Sequence, residues 1–238
     1  MGLYERDYIK DSQLPGTFTS RVYGWMTAGL SVTALVSIYL YYSGLYKFLG
    51  AFWMLYLLGN MGISLFIRTK FHTLSTHTTM GLFIAYSVLE GLFFGTLIPS
   101  YIQFAGGGVV WAAFIGAAVT FGIASLYGAF TKHDLTAVRN ILWAGLSGFL
   151  VLSLVFVVLS LFMQLPFVYL GISYIGLALF LGLSVVDAQE IRKMARSVGN
   201  DSVISYKLSL IMALRMYCNV TAIFIYLLSI FSSSARRD

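Results

Sequence analysis

Residues 140–186 read NILWAGLSGFLVLSLVFVVLSLFMQLPFVYLGISYIGLALFLGLSVV, without one Asp, Glu, Lys or Arg. A helix needs about 20 apolar residues to cross a hydrocarbon core about 30 Å thick, so this run holds two crossings. Gln164-Leu165-Pro166 is the turn-prone break between them. Working outward, 22–46, 48–67, 91–131 and 216–235 are also free of charged residues. The 91–131 run again has room for two passes, divided at Gly106-Gly107-Gly108. Membrane β-strands would alternate apolar and polar residues with period two, and these continuous runs do not. Seven spans follow, at 22–44, 48–67, 80–103, 108–130, 141–163, 166–190 and 208–231. The expected fold is an all-α integral membrane protein with seven transmembrane helices.

Composition points the same way. Hydrophobic residues make up 59% of the 238 and charged residues 10%, against about 25% charged in a soluble domain. The expected organisation is a polar cytoplasmic segment 1–21, a membrane domain 22–231 and a short external tail 232–238. The first 21 residues lack the apolar core of a cleavable signal peptide.

Orientation comes from the basic residues between spans. One side takes Arg6, Lys10, Arg21, Arg68, Lys70, Lys132, Arg139, Arg192, Lys193, Arg196 and Lys207, and the other takes Lys47, Arg236 and Arg237. Lys and Arg concentrate on the cytoplasmic face, which puts the N-terminus inside and the C-terminus outside. The same rule accounts for the net charge of +6 without nucleic acid as a partner; the partner is the lipid bilayer. The short external turns give three hairpins around a lone seventh helix, in the plasma (inner) membrane if the source is bacterial. Gly91 with Gly95, Ala113 with Ala117, and Ala144 with Gly148 are spaced for close helix packing. Pro99 removes a backbone donor within the third span and is expected to kink it.

A charge near the bilayer centre costs about 2.5–3.5 kcal/mol on insertion scales, so such residues face a partner or a cavity. Glu90 in the third span, Asp187 late in the sixth and Arg215 in the seventh qualify. Arg215 and Asn219 are four residues apart and share a helix face, with Cys218 and Thr221 nearby. The seventh helix is therefore expected at the centre, with Glu90 or Asp187 as the carboxylate for Arg215. A buried structural ion pair is the alternative to a transport role. Cys218 is the only cysteine and reads as packing.

Enzymatic chemistry is not indicated. His72 and His77 lie between spans without a third ligand for zinc. No span carries a His to serve a Ser or Thr nucleophile. A phosphate-binding glycine loop followed by Lys-Ser or Lys-Thr is also missing. No catalytic residues and no cofactor are expected.

Four segments carry a resemblance: VYGWMTAGL (22–30), TKHDLT (131–136), FLGLSVVDAQEIRKM (180–194) and ALRMYCNVTAIF (213–224). In order and spacing they resemble the Bax inhibitor family, the transmembrane Bax inhibitor motif proteins, in its bacterial style. The most specific element is Asp187-Ala188-Gln189. The resemblance implies a seven-helix bundle with the seventh helix in the middle, and a pH-sensitive calcium leak. In the family's leak, an aspartate on helix six and another on helix seven share a proton, and their ionisation opens a closure on the cytoplasmic side. The first maps onto Asp187, a transient calcium ligand in this scheme. The second maps onto Asn219, a departure from the pattern.

Two close carboxylates do not readily ionise together, so such a pair titrates as a unit. Asn219 can hydrogen-bond Asp187 but shares no proton with it. Arg215, one turn away on its helix, adds positive charge that disfavours an entering cation. Glu90 is a candidate for the missing acid. The family also implies an arginine latch near the end of helix two, for which Arg68 is the candidate.

The leading expectation is a pH-sensitive cation leak or transporter with calcium as its permeant ion. Asp187, Asn219, Glu90 and Arg215 form its ion pathway and pH sensor, with gating altered by Asn219. Calcium prefers several oxygen ligands, which Asp187, Asn219, Glu90 and backbone carbonyls can offer. The alternative is a non-conducting membrane protein that modulates a partner, such as a membrane protease or a stress-response factor.

Overall fold

The apolar runs become helices because a backbone in hydrocarbon has no water to bond and must satisfy its own N–H and C=O groups. The computed structural model describes residues 3–70, 73–160, 162, 166–197 and 202–235, with side chains described from Phe18 onward apart from a few positions. The helices are α1 (Leu3–Ser43), α2 (Tyr46–Leu49), α3 (Trp53–Thr69), α4 (Thr76–Ala105), α5 (Gly107–Phe130), α6 (Thr136–Ser160), α7 (Pro166–Ser197) and α8 (Ser202–Ser234). A 3-10 turn, Gly50–Phe52, joins α2 to α3. Among the described residues seven helical stretches are long and apolar enough to cross a membrane: Phe18–Ser43, Tyr46–Ile67, Thr76–Ala105, Gly107–Phe130, Thr136–Phe156, Phe167–Ser197 and Val203–Ser234. These match the seven expected spans, so the chain is an all-α membrane protein.

Helix ends follow local chemistry. Ser75 caps α4, its hydroxyl accepting from Thr78 N–H at 3.1 Å. A single residue, Gly106, separates α4 from α5, and its φ of 83° lies where a side chain would be strained. The turn therefore needs only the first of the three glycines. Thr131 ends α5 by donating its N–H to Tyr127 C=O at 2.8 Å. Gln164 and Leu165, the expected break before α7, lie outside the described residues.

Two helices run further than their charges suggest. Residues 1–21, expected as a polar segment ahead of the first span, are helical from Leu3 and continuous with it in α1. At the other boundary α7 continues to Ser197, so Arg192, Lys193 and Arg196 are helical.

The chain divides into two units, each described by itself. The first comprises Met1–Ser100 and Glu190–Tyr217. Here α1 and α4 approach closely at Gly91 and Gly95. A Cβ on Gly91 would meet Val36 Cβ at 2.7 Å and Thr33 C=O at 3.0 Å, and one on Gly95 would meet Ser37 Cα at 3.2 Å. Ser37 Oγ donates to Gly91 C=O at 3.0 Å across this seam. The first half of α8 joins them through buried Tyr217, whose hydroxyl bonds Thr33 and whose ring packs edge-on against Phe83 and Tyr86.

The second unit comprises Tyr101–Gln189 and Cys218–Asp238. The second half of α8 meets three helices here. Leu227 lies against Gly116 of α5, Tyr226 against Phe149 of α6, and Ser229 bonds Ser173 of α7 at 2.9 Å. Ala113 and Ala117 of α5 are buried as expected, but Ala144 and Gly148 of α6 are exposed. The face of α6 that packs is instead Leu142 against Gly182, Gly145 against Leu179, and Phe149. Steps of three and four residues keep these on one side, with Ala144 and Gly148 off it.

Within the first unit α8 thus touches α1 and α4, and within the second α5, α6 and α7. In its most apolar 18-residue window 56% of α8 is buried, against 6% to 39% in the other six spans. Conversely, Leu35, Phe66, Ile123, Leu150 and Leu154 are large apolar residues left exposed. On a soluble protein such surface would be a liability, and in a bilayer it faces lipid.

Candidate functional site

Polar side chains are costly in the apolar zone, so their partners define the candidate site. In the second unit, α7 carries Asp187 and α8 carries Asn219, which are 2% and 4% exposed. Asn219 Nδ2 donates to Asp187 Oδ2 at 2.8 Å, so the helix-six acid and the residue in place of the helix-seven acid meet directly.

The turn of α7 bearing Asp187 is fixed on two sides. A Cβ on Gly128 of α5 would overlap Val185 C=O and sit 3.0 Å from Ala188 Cβ, so the two helices touch through backbone. Gln189, 3% exposed, fastens the linker between α5 and α6. Its Nε2 donates to His133 C=O at 2.6 Å, and its Oε1 accepts from Leu135 N–H at 3.1 Å. Asp134 in the same linker starts α6 by accepting from Thr136 Oγ1 at 2.7 Å and Thr136 N–H at 3.3 Å. The segments TKHDLT and DAQ thus meet: Gln189 holds the linker on the helix that holds Asp187.

In the first unit, Arg215 Nη1 bonds Glu190 Oε2 at 3.0 Å, with the two side chains 13% and 16% exposed. Met212 Sδ accepts from the same Nη1 at 3.5 Å. Glu190 is absent from the carboxylates that the sequence offers Arg215, because it is the last residue of its expected span, next to the basic Arg192 and Lys193. Its position inside α7 brings it to Arg215 on α8. Glu90, 7% exposed on α4, accepts a hydrogen bond from Nδ2 of Asn60 on α3. Asn60 is missed in the sequence because it is uncharged, although an amide in the charge-free 48–67 run is the available signal.

The expected site residues are thus met in three pairs: Asp187 with Asn219, Arg215 with Glu190, and Glu90 with Asn60. Arg68 is helical in α3, but its side chain, and with it the expected latch, lies outside the described residues, as does His72. His77 is exposed at the start of α4, and Cys218 is half-buried on α8.

Seven apolar helices with exposed apolar surface and an interior of paired polar groups define a multi-pass helical membrane protein. The chain belongs to the family described as Inhibitor of apoptosis-promoting Bax1, whose family model matches residues 16–236. It is similar to a protein of Chlamydia muridarum, 59% identical over 237 residues and 100% of both chains. It is also similar to Inner membrane protein YbhL of Escherichia coli K12, 31% identical over 91% of this chain and 92% of the relative. A protein of Deinococcus radiodurans is 33% identical over 91% of this chain and 90% of its own length.

Proposed function

We propose that this protein is a pH-sensitive cation leak with calcium as its permeant ion, and that Asp187 is the polar residue on the path. The supporting observation is the Asp187–Asn219 contact, a carboxylate 2% exposed within a membrane span and bonded to a side-chain amide. A buried carboxylate is retained in a membrane where it serves an ion or a proton. Calcium takes six to eight oxygens, so Asp187 and Asn219 Oδ1 form part of a transient coordination shell with carbonyls or water. No bond-making step is assigned, and no resident cofactor is needed.

Asn219 reshapes the gating in this proposal. A pair of acids titrates jointly, whereas the amide carries no titrating proton. Calcium uptake into proteoliposomes across about pH 5–8, a window that brackets neutral titration, tests both points. Asp187→Asn is expected to lower flux at least tenfold, and Asn219→Asp to steepen its pH dependence. Flux unchanged by Asp187→Asn in folded protein would overturn the proposal in favour of a non-conducting modulator of a membrane partner.

We further propose the inner membrane as the location, with a cytoplasmic N-terminus and an external C-terminus, on the distribution of Lys and Arg. A reporter inserted within 195–205 should read cytoplasmic, and one fused after Asp238 external. The same side for both would overturn this orientation.

A further inference from the structure

We propose that Arg21, seated on the ring of Tyr206, binds the phosphate of an anionic phospholipid at the membrane surface. The residues involved belong to the first unit, and the site stands whether or not Asp187 conducts. Arg21 is the charge immediately before the apolar run 22–46, so α1 carries it at the boundary between headgroups and hydrocarbon. Tyr206 meets it there from α8, with the guanidinium carbon 5.7 Å from the ring centroid, within cation–π range. Trp25, one turn further along α1, packs edge-on against Tyr206 at 6.3 Å and against Phe83 of α4 at 5.9 Å between ring centroids. Residues of three helices thus hold the ring that holds the arginine.

A ring face holds the charge in place but supplies no oxygen to the N–H donors of the guanidinium. That planar fork matches a phosphate, which accepts two parallel hydrogen bonds and brings the opposite charge. The surrounding charges favour an anion. Between Ser12 and Leu89 the sequence holds no Asp or Glu, and α8 holds none between Ser202 and Ser234, whereas Lys207 follows Tyr206 directly. Asp11, ten residues before Arg21, lies about 15 Å away along α1. On the part of α7 in this unit, Glu190 bonds Arg215 and is followed by Arg192, Lys193 and Arg196. The side chain of Asp201, ahead of α8, lies outside the described residues.

There is also room for the rest of such a lipid. Gly24 and Ala28 follow Arg21 at steps of three and four residues, on the same side of α1, and both are exposed. Nothing lies within 4 Å of a Cβ added to Gly24. An acyl chain entering the bilayer below the phosphate can therefore lie along α1, and the rings of Trp25 and Tyr206 belong to the residue types enriched at headgroup level. The occupant is thus a lipid phosphate rather than a free one.

Native mass spectrometry of the full-length protein in neutral detergent, titrated with phosphatidylglycerol, phosphatidylcholine or inorganic phosphate, tests the proposal. Phosphatidylglycerol should bind more tightly than either of the others. Arg21→Gln should weaken its binding about fivefold, the effect of one basic residue lost beside an anionic headgroup. Tyr206→Leu, which keeps the net charge, should weaken it too, whereas Tyr206→Phe, which keeps the ring, should bind as the native protein does. Lys47→Gln, beyond the other end of α1, should change nothing. If Tyr206→Leu does not fold, Arg21→Lys decides the same point, since it keeps the charge, loses the planar fork and should bind more weakly. Binding unchanged by Arg21→Gln would overturn the proposal. So would binding that Arg21→Gln weakens but neither Tyr206→Leu nor Arg21→Lys does, because Arg21 would then act as a general surface charge. Equal binding of phosphatidylcholine would overturn the anionic headgroup, and equal binding of inorganic phosphate would overturn the lipid.

Discussion

Glu190→Gln is expected to destabilise the protein by about 3 kcal/mol, the lower end of the 3–5 kcal/mol seen when one partner of a buried ion pair is removed. The lower end applies because Arg215 and Glu190 retain 13% and 16% of their side-chain exposure. The cost arises because Arg215 keeps its charge inside the bundle after its carboxylate has gone. Arg215→Gln should cost a similar amount for the converse reason. The double change removes both charges and should recover most of the loss, a coupling readable from thermal unfolding of the four proteins. Glu190→Leu with Arg215→Met should be neutral or stabilising, since well-packed apolar residues often match a buried pair. Strict additivity of the single changes would show that the 3.0 Å contact carries no energy of its own.

Glu190 also shows where the sequence stops being legible. Spans are plain because a bilayer demands long uncharged runs, and those of this chain are bounded by their own Lys, Arg, Asp and Glu. A charge at the edge of a run has no such clarity. Glu190 sits beside Arg192 and Lys193 and looks solvated, yet α7 continues to Ser197 and keeps Glu190 on a packed face. Hydrogen bonds between neutral groups leave still less trace. Asn60 and the Tyr217–Thr33 contact join residues far apart in the chain, and only the fold brings them together.

The Asp187–Asn219 pairing was legible for a different reason. The family resemblance aligned both positions on helices six and seven, and the structure places them in hydrogen-bond contact. Small-residue spacing was legible only in part. Gly91 and Gly95 do bring α1 and α4 together, whereas Ala144 and Gly148 have the same spacing on a face of α6 that is exposed. Spacing fixes which residues share a face, and the face that turns inward is decided by neighbours.

Gly128 is the position where one added methyl group is expected to do most damage. Its Cβ would meet the Val185 carbonyl, with the carbonyl carbon at 2.8 Å and Ala188 Cβ at 3.0 Å. Flexible side chains can swing away from an intruder, but here the obstacle is the backbone of a packed helix, so α5 or α7 must move bodily. Overpacking typically costs about 1–3 kcal/mol and occasionally more, and Gly128→Ala should reach or exceed the top of that range. Gly122 is the matched control, lying on the same helix with nothing within 4 Å of an added Cβ. There the same substitution should stabilise by about 0.4–1 kcal/mol, because alanine has less backbone freedom to lose on folding. Thermal unfolding of the two variants should therefore shift in opposite directions. Val185 and Ala188 flank Asp187, so the displacement caused at Gly128 acts on the turn that presents the carboxylate to Asn219. Any calcium flux through folded Gly128→Ala should fall with it, while Gly122→Ala conducts normally. Equal melting temperatures for the two variants would mean that α5 and α7 are not held in backbone contact, and that the turn bearing Asp187 is held by Gln189 and Asn219 instead.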